Sequence, residues 1–173
     1  TDLGHLVTDI GDVRPDETDI PEHPHLFALP EVVGWTSALS RVALDTAPKG
    51  LPIYMGGDHA LSMGTVAGMA AHAEHVGRPL FVLWLDAHSD FHTPDSTGSG
   101  NLDGTPVAYF TGQYGFDAFP PLPSPVPTDR VGMIGLRSVD PAERAQLEQH
   151  HAMLADMRSI DEHGIKAPLN AFL

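Results

Sequence analysis

The feature that most constrains this chain is a run of six apolar residues, Leu80 to Leu85 (LFVLWL), followed at once by Asp86-Ala87-His88-Ser89-Asp90. A run this short with no polar face suits a strand covered on both sides, and such strands belong to parallel sheets. The charged residues behind it then stand at the strand's carboxyl end, where α/β proteins gather their ligands. If the backbone stays extended past Leu85, Asp86, His88 and Asp90 share one face, because side chains alternate with a period of two. Two carboxylates and an imidazole held so close repel one another and lose hydration, and a divalent cation relieves both costs. A hydrogen-bonded polar turn is the plainer reading, and it leaves the repulsion unanswered.

The rest of the chain extends the same architecture. Glu31 to Ala47 places Val32, Trp35, Leu39 and Val42 at helical spacing, and Leu61 to His75 reads as a second helix, stopped by Gly77-Arg78-Pro79. Leu51 to Met55 is a short apolar run ended by Gly56-Gly57 and suits a buried strand. Val131 to Leu136 reads as another buried strand, and Met153 to Met157 as a weaker one. A short helix is expected over Val107 to Gln113, another over Pro141 to Gln149 with proline at its first position, and a last one over Ser159 to Leu173, interrupted near Pro168. Residues 11–30 and 119–127 are loops punctuated by proline. Strands alternating with helices predict an α/β fold, a parallel β-sheet flanked by helices on both faces, in one domain over residues 1–173.

A second strand end carries Met55-Gly56-Gly57-Asp58-His59. Paired glycines let the backbone turn sharply, which places His59 at the mouth of the sheet beside the start of a helix. Asp58 is suited either to cap that helix or to hold an imidazole in its ligating tautomer. The chain has no cysteine, so thiolate ligation and disulfides are both excluded. Carboxylates and imidazoles without sulfur suit Mn²⁺ better than Zn²⁺, Fe²⁺, Ni²⁺ or Co²⁺. Because carboxylates bridge, four such ligands fit a pair of metal ions about 3.5–4 Å apart better than a single one.

A third patch, Thr93 to Pro106, offers hydroxyl and amide groups on a glycine-rich backbone, the inventory for gripping a small polar ligand. Gly98, Gly100 and Gly104 do not have the spacing of a dinucleotide loop, and no strand leads directly into them. The net charge of −14, with only nine Lys and Arg, argues against nucleic acid and is compatible with a cationic small molecule or bound metal. No stretch approaches the ~20 apolar residues of a membrane span, so no membrane partner is expected. No signal peptide is visible, and the location expected is cytoplasmic. Of the eleven histidines, His23 and His25 in a proline-flanked loop and His150 and His151 at a helix end carry no evident signal.

Taken in order, GGDH, DAHSD and SGNLDGTP, extended by Ile134-Gly135-Leu136-Arg137-Ser138-Val139-Asp140-Pro141, resemble the arginase, agmatinase and formimidoylglutamase superfamily over nearly the whole chain. The likeness is greatest to arginases. It implies a three-layer α/β/α fold with His59, Asp86, His88 and Asp90 as metal ligands. Asp86 would bridge two manganese ions, His59 and Asp90 belonging to one and His88 to the other. Thr97, Ser99 and Asn101 match positions that hold the amino-acid end of the substrate, Asp140 matches the carboxylate that reads its α-ammonium, and Glu143 is a further polar neighbour. The implied reaction is attack of a metal-bridging hydroxide on the guanidinium carbon of L-arginine, giving urea and ornithine, in a homo-oligomer, trimer or hexamer. Agmatine, guanidinobutyrate and a non-catalytic binding role are the alternatives.

Three positions depart from the family. Asp103, with Asp90 one of the two residues expected to serve catalysis itself, stands where arginases carry a proton-shuttling histidine, and a carboxylate of reference pKa ~3.9 starts deprotonated there. Impaired or altered activity is the expectation. His92 replaces an amide that contacts the substrate carboxylate. Lastly, no S-x-D-x-D-x-x-D-P strand completes the metal shells; Ser159-Ile160-Asp161-Glu162-His163 imitates its opening but reads as a helix start. Relative to the family the chain is expected to be truncated at both ends.

Overall fold

Three short strands form the sheet that the apolar runs predict. In the computed structural model, which describes residues 4–173 apart from the side chain of Ala142, they are β1 (Val82–Leu85), β2 (Val131–Leu136) and β3 (Met153–Asp156). They lie in the order β1-β2-β3 and both pairings are parallel, with Val82 opposite Val131 and Gly132 opposite Met153. The central strand, β2, is buried along nearly its whole length.

The helices are α1 (Leu29–Thr46), α2 (Leu61–His75), α3 (Pro106–Phe110), α4 (Pro141–Gln149), α5 (Met157–His163) and α6 (Lys166–Phe172). Alternate residues of β2 point to opposite faces. Val131 and Met133 join Trp84 in one apolar core with Met63, Ala67 and Ala70 of α2 and Val107 and Phe110 of α3. On the other face Phe172 of α6 lies over Gly132, where a Cβ would meet its ring, and edge-on to Phe81. Helices therefore stand on both faces, as expected. Helices α1 and α2 approach closely because Gly64 and Gly68 leave room for the backbone of residues 36–44.

Three expectations need correction. Leu51–Met55 is not a strand: the segment is extended but pairs with no strand among the described residues, and Leu51, Ile53 and Met55 are 91%, 81% and 93% exposed. An apolar run becomes a strand only where a neighbour supplies the hydrogen bonds, and here the segment is tied through Tyr54, whose hydroxyl lies 3.1 Å from that of Thr46. The run at Leu80–Leu85 is covered on one face only. Trp84 is buried, but Phe81, Leu83 and Leu85, on the opposite face, are exposed. The last helix breaks at Gly164, where φ is +76°, rather than at Pro168. That proline sits in the first turn of α6, where a missing N–H costs nothing.

Candidate functional site

Two turns converge at the carboxyl end of β1. The first follows Gly57. Asp58 Oδ1 accepts the Ala60 N–H at 2.6 Å, and the carbonyls of Asp58 and His59 accept the N–H groups of Leu61 and Ser62. Of the two roles open to Asp58, the local turn at the start of α2 is the one formed. His59 is thereby fixed at the base of α2, and its ring stacks on Trp84, centroids 4.1 Å apart and 15° from coplanar. Trp84 is buried and its indole N–H has no hydrogen-bond partner. Its role here is a flat apolar floor.

The second turn follows Leu85. Asp86 N–H donates to the Ile134 carbonyl at 3.2 Å, and the Ala87 carbonyl accepts the N–H groups of Arg137 and Ser138 at 2.9 and 3.0 Å. The segment does not stay extended. Asp90 has φ +48°, a left-handed conformation uncommon for a residue with a side chain, and its carbonyl accepts the first N–H groups of α3, from Val107 and Ala108. Asp86 and Asp90 come together because the chain curls between them, and period-two alternation plays no part.

His59 Nδ1 lies 2.7 Å from Asp86 Oδ2 and 3.0 Å from Asp90 Oδ2. The other Asp86 oxygen, Oδ1, faces His88 Nδ1 at 3.4 Å, and the His88 side chain is 60% exposed. Asp90 is buried, and burial raises its pKa against the opposing pull of the His59 hydrogen bond. At Asp86 desolvation acts in the same upward sense, but N–H bonds from His88 and Ala87 together with the imidazole charges outweigh it and hold the carboxyl below its ordinary value. The hydrogen bond to Asp90 raises His59, so positive charge is favoured where the two carboxylates meet.

This donor set fits a divalent cation. Donor atoms at right angles around an ion with bonds near 2.1 Å stand about 3 Å apart, close to the separations found here. A cation would need the imidazole lone pair and would displace the proton that the carboxylates favour. Asp86 thus turns one oxygen toward His59 and the other toward His88.

A second group lies beyond Asp90. His92 Nε2 is 3.1 Å from Asp140 Oδ2 and 3.4 Å from Glu143 Oε2. Asp140 and Glu143 open α4 as a reciprocal cap: Glu143 N–H donates to Asp140 Oδ1 at 2.9 Å, and Asp140 N–H reaches Glu143 Oε2 at 3.4 Å. Buried Glu143 also accepts the Ser89 hydroxyl at 2.6 Å and the Phe91 N–H at 3.3 Å. It thus ties the turn after β1 to the helix after β2, a structural duty that sequence reasoning missed.

Thr97 is buried and Ser99 exposed, with their hydroxyls 3.4 Å apart, and Asn101 is exposed. Asp103 is exposed in a 3-10 turn at Leu102–Gly104, next to Gly104, whose carbonyl accepts the His92 N–H at 3.2 Å. Ser159–His163 lies within α5, as the helix reading requires, and Asp156 caps it through the Ser159 N–H. Two residues that sequence reasoning passed over belong to the site's frame. Trp84 was legible as core but not as the floor of His59, and His25 lies 2.9 Å from the Thr97 carbonyl through Nε2.

Comparison with known proteins agrees with this geometry. A family profile described as the Arginase family matches residues 2–173. The chain is 50% identical to an arginase of Agrobacterium fabrum over 176 aligned positions, covering 100% of this chain and 54% of that protein. It is also 50% identical to an arginase of Brucella melitensis, covering 99% of this chain and 57% of that one. Among solved structures, the arginase of Bacillus subtilis strain 168 superposes with a TM-score of 0.83 at 30% identity, over 99% of this chain and 57% of that one. The chain spans just over half the length of the relatives it matches.

Proposed function

The chain belongs to the arginase family, and from that premise we propose that the protein carrying it is a manganese-dependent ureohydrolase that converts L-arginine to urea and ornithine. The observation that carries this reading is the division of Asp86, one carboxylate oxygen toward His59 and Asp90, the other toward His88. His59, Asp86, His88 and Asp90 would hold two ions, with Asp86 shared between them. Such ions would supply an activated water as the nucleophile for the guanidinium carbon.

The chain's own residues do the rest. Trp84 fixes the plane of the His59 ring, and Asp90, fastened by its carbonyl to α3, fixes one carboxylate edge. Thr97, Ser99 and Asn101 offer hydroxyl and amide groups to the far end of the substrate, and His92 with Asp140 and Glu143 offers an imidazole and two carboxylates to a zwitterion. Asp103 takes the position of a proton carrier. With a carboxylate there in place of an imidazole, proton delivery to the leaving group is the step that slows. The working state proposed is a cytoplasmic homo-oligomer, trimer or hexamer.

The test is urea release by the whole natural protein loaded with manganese, on L-arginine, agmatine and 4-guanidinobutyrate side by side. Turnover of L-arginine above the other two is expected, and Asp103→His should raise kcat by up to about 100-fold, the lower end of general acid–base contributions. Urea from agmatine or guanidinobutyrate alone would replace arginine as the substrate. An Asp103→His variant no faster than the natural protein would remove Asp103 from proton transfer.

A further inference from the structure

The loop of residues 97–101 does not hold its shape alone. Within it, Gly100 N–H donates to Thr97 Oγ1 at 3.2 Å and Asn101 N–H to Ser99 Oγ at 3.2 Å, contacts between groups only two or three residues apart. Beside the Thr97 N–H bond to the Thr93 carbonyl at 3.0 Å, two bonds reach the loop from a distant turn, His23 to Phe27. His25 Nε2 donates to the Thr97 carbonyl at 2.9 Å, and Phe27 N–H donates to the Gly100 carbonyl at 3.0 Å. These two bonds fasten the loop near both ends. Between them the turn presses directly on Gly100, whose φ is +78° and where any Cβ would overlap the His25 carbonyl oxygen.

The turn is itself built to present those donors. His23 Nδ1 accepts the N–H groups of His25 and Leu26, at 3.2 and 3.0 Å, which curls the chain. Leu26 is buried in the main apolar core and Leu29 opens α1 beside it, so the turn is anchored at its carboxyl end. His25 is exposed, has no part in the core, and its ring makes a single hydrogen bond, the one to Thr97. A residue placed so has little to do for stability.

We propose that the His23–Phe27 turn is a clamp that sets the shape of the 97–101 loop, with His25 as a positioning residue for ligand binding. The proposal rests on the reading of Thr97, Ser99 and Asn101 as the grip on the substrate's amino-acid end. A loop held from outside keeps its hydroxyls aimed before ligand arrives, so less freedom is lost on binding. Loss of the His25 bond frees the loop without touching the metal-ligand turns.

The experiment uses the whole manganese-loaded protein and reads two quantities: the Kd for L-ornithine, the proposed product with the same amino-acid end and no guanidinium to hydrolyse, by calorimetry, and backbone amide exchange across residues 97–101. His25→Ala is expected to weaken binding about 10-fold, the scale of one well-placed hydrogen bond, and to speed exchange in the loop. His25→Gln keeps a donor and should restore most of both. Thr97→Ala and Ser99→Ala test the underlying reading and should each weaken binding with no requirement on exchange. Should those two weaken binding while His25→Ala leaves both quantities unchanged, the clamp is overturned and the grip stands. Unchanged binding in Thr97→Ala and Ser99→Ala, or no binding of L-ornithine by the natural protein, overturns the grip and with it the clamp's part in recognition.

Discussion

The turn that carries His59 and the turn that carries Asp86 and Asp90 meet within hydrogen-bonding distance, yet they are held by different means. The second grows out of β1, paired to β2 and backed by Ile134, and it ends in α3, which it caps. The first follows Leu51–Met55, a segment with no strand partner and with its apolar side chains in solvent. His59 is placed instead by what comes after it, the first turn of α2, and by the ring of Trp84 beneath it. A strand is therefore one way to aim a ligand. A helix start with an aromatic floor is another.

The largest expected effect concerns the ligand that both turns share. In the whole protein, Asp86→Ala should lose both divalent ions on dialysis, read by elemental analysis, and lower urea release by more than the roughly 10–100-fold that orienting groups cost. His59→Ala should lose one ion and keep the other, because Asp86 and His88 remain together. Loss of both ions from His59→Ala would mean that the two turns form one indivisible site and that Asp86 does not divide its oxygens between two ions.

The difference in support can be broken from below. Trp84→Ala removes a buried indole and should cost about 3–5 kcal/mol in urea-induced unfolding, the range for large core residues cut to alanine. It should also loosen His59, so the Trp84→Phe variant, which keeps a ring under the imidazole, should retain more metal affinity than its stability alone would suggest. Ile53→Ser, in the exposed approach to His59, should change the stability of this 173-residue chain by no more than about 0.5 kcal/mol. A cost near that of Trp84→Ala would show that residues 51–55 are buried against something, and the contrast between the two turns would fall.

How much of this was legible beforehand follows the same division. Apolar runs and helical spacing read well wherever the neighbour is close in the chain or the burial is complete. Helices α1 and α2 and strand β2 fall within a few residues of their expected limits. Leu51–Met55 has a composition that suits a buried strand, but pairing is a property of the neighbour and cannot be read from the segment. The grouping of His59, Asp86 and Asp90 was legible by residue type, whereas the means of their convergence was not, because nothing in DAHSD announces that Asp90 turns to φ +48°. Glu143 and His25 escaped notice as tethers because their partners lie more than fifty residues away in sequence.

The amino-terminal arm supplies the smallest effect and a third kind of support, an exposed ion pair. Asp16 is bound by Arg41, whose second amino group donates to Asp16 Oδ1 at 2.8 Å, and by the Ser37 hydroxyl at 2.7 Å. Its backbone N–H reaches the Gly34 carbonyl at 3.1 Å, so the pair pins the arm along α1. These bonds, the Arg41 guanidinium first, lower the Asp16 pKa from 3.8 to about 2. Since the folded value lies below the unfolded one, the contribution is whole above about pH 4 and fades as pH falls toward 2. The Arg41 side chain is 62% exposed, so solvent screens the pair and about 1 kcal/mol or less is expected of it. Unfolding of the natural chain and of Asp16→Asn, compared from pH 7 down to pH 2, should give two curves that differ slightly at neutral pH and converge in acid. A gap that stays constant across that range would mean that the carboxylate charge contributes nothing and that the arm is held by its backbone bond to Gly34.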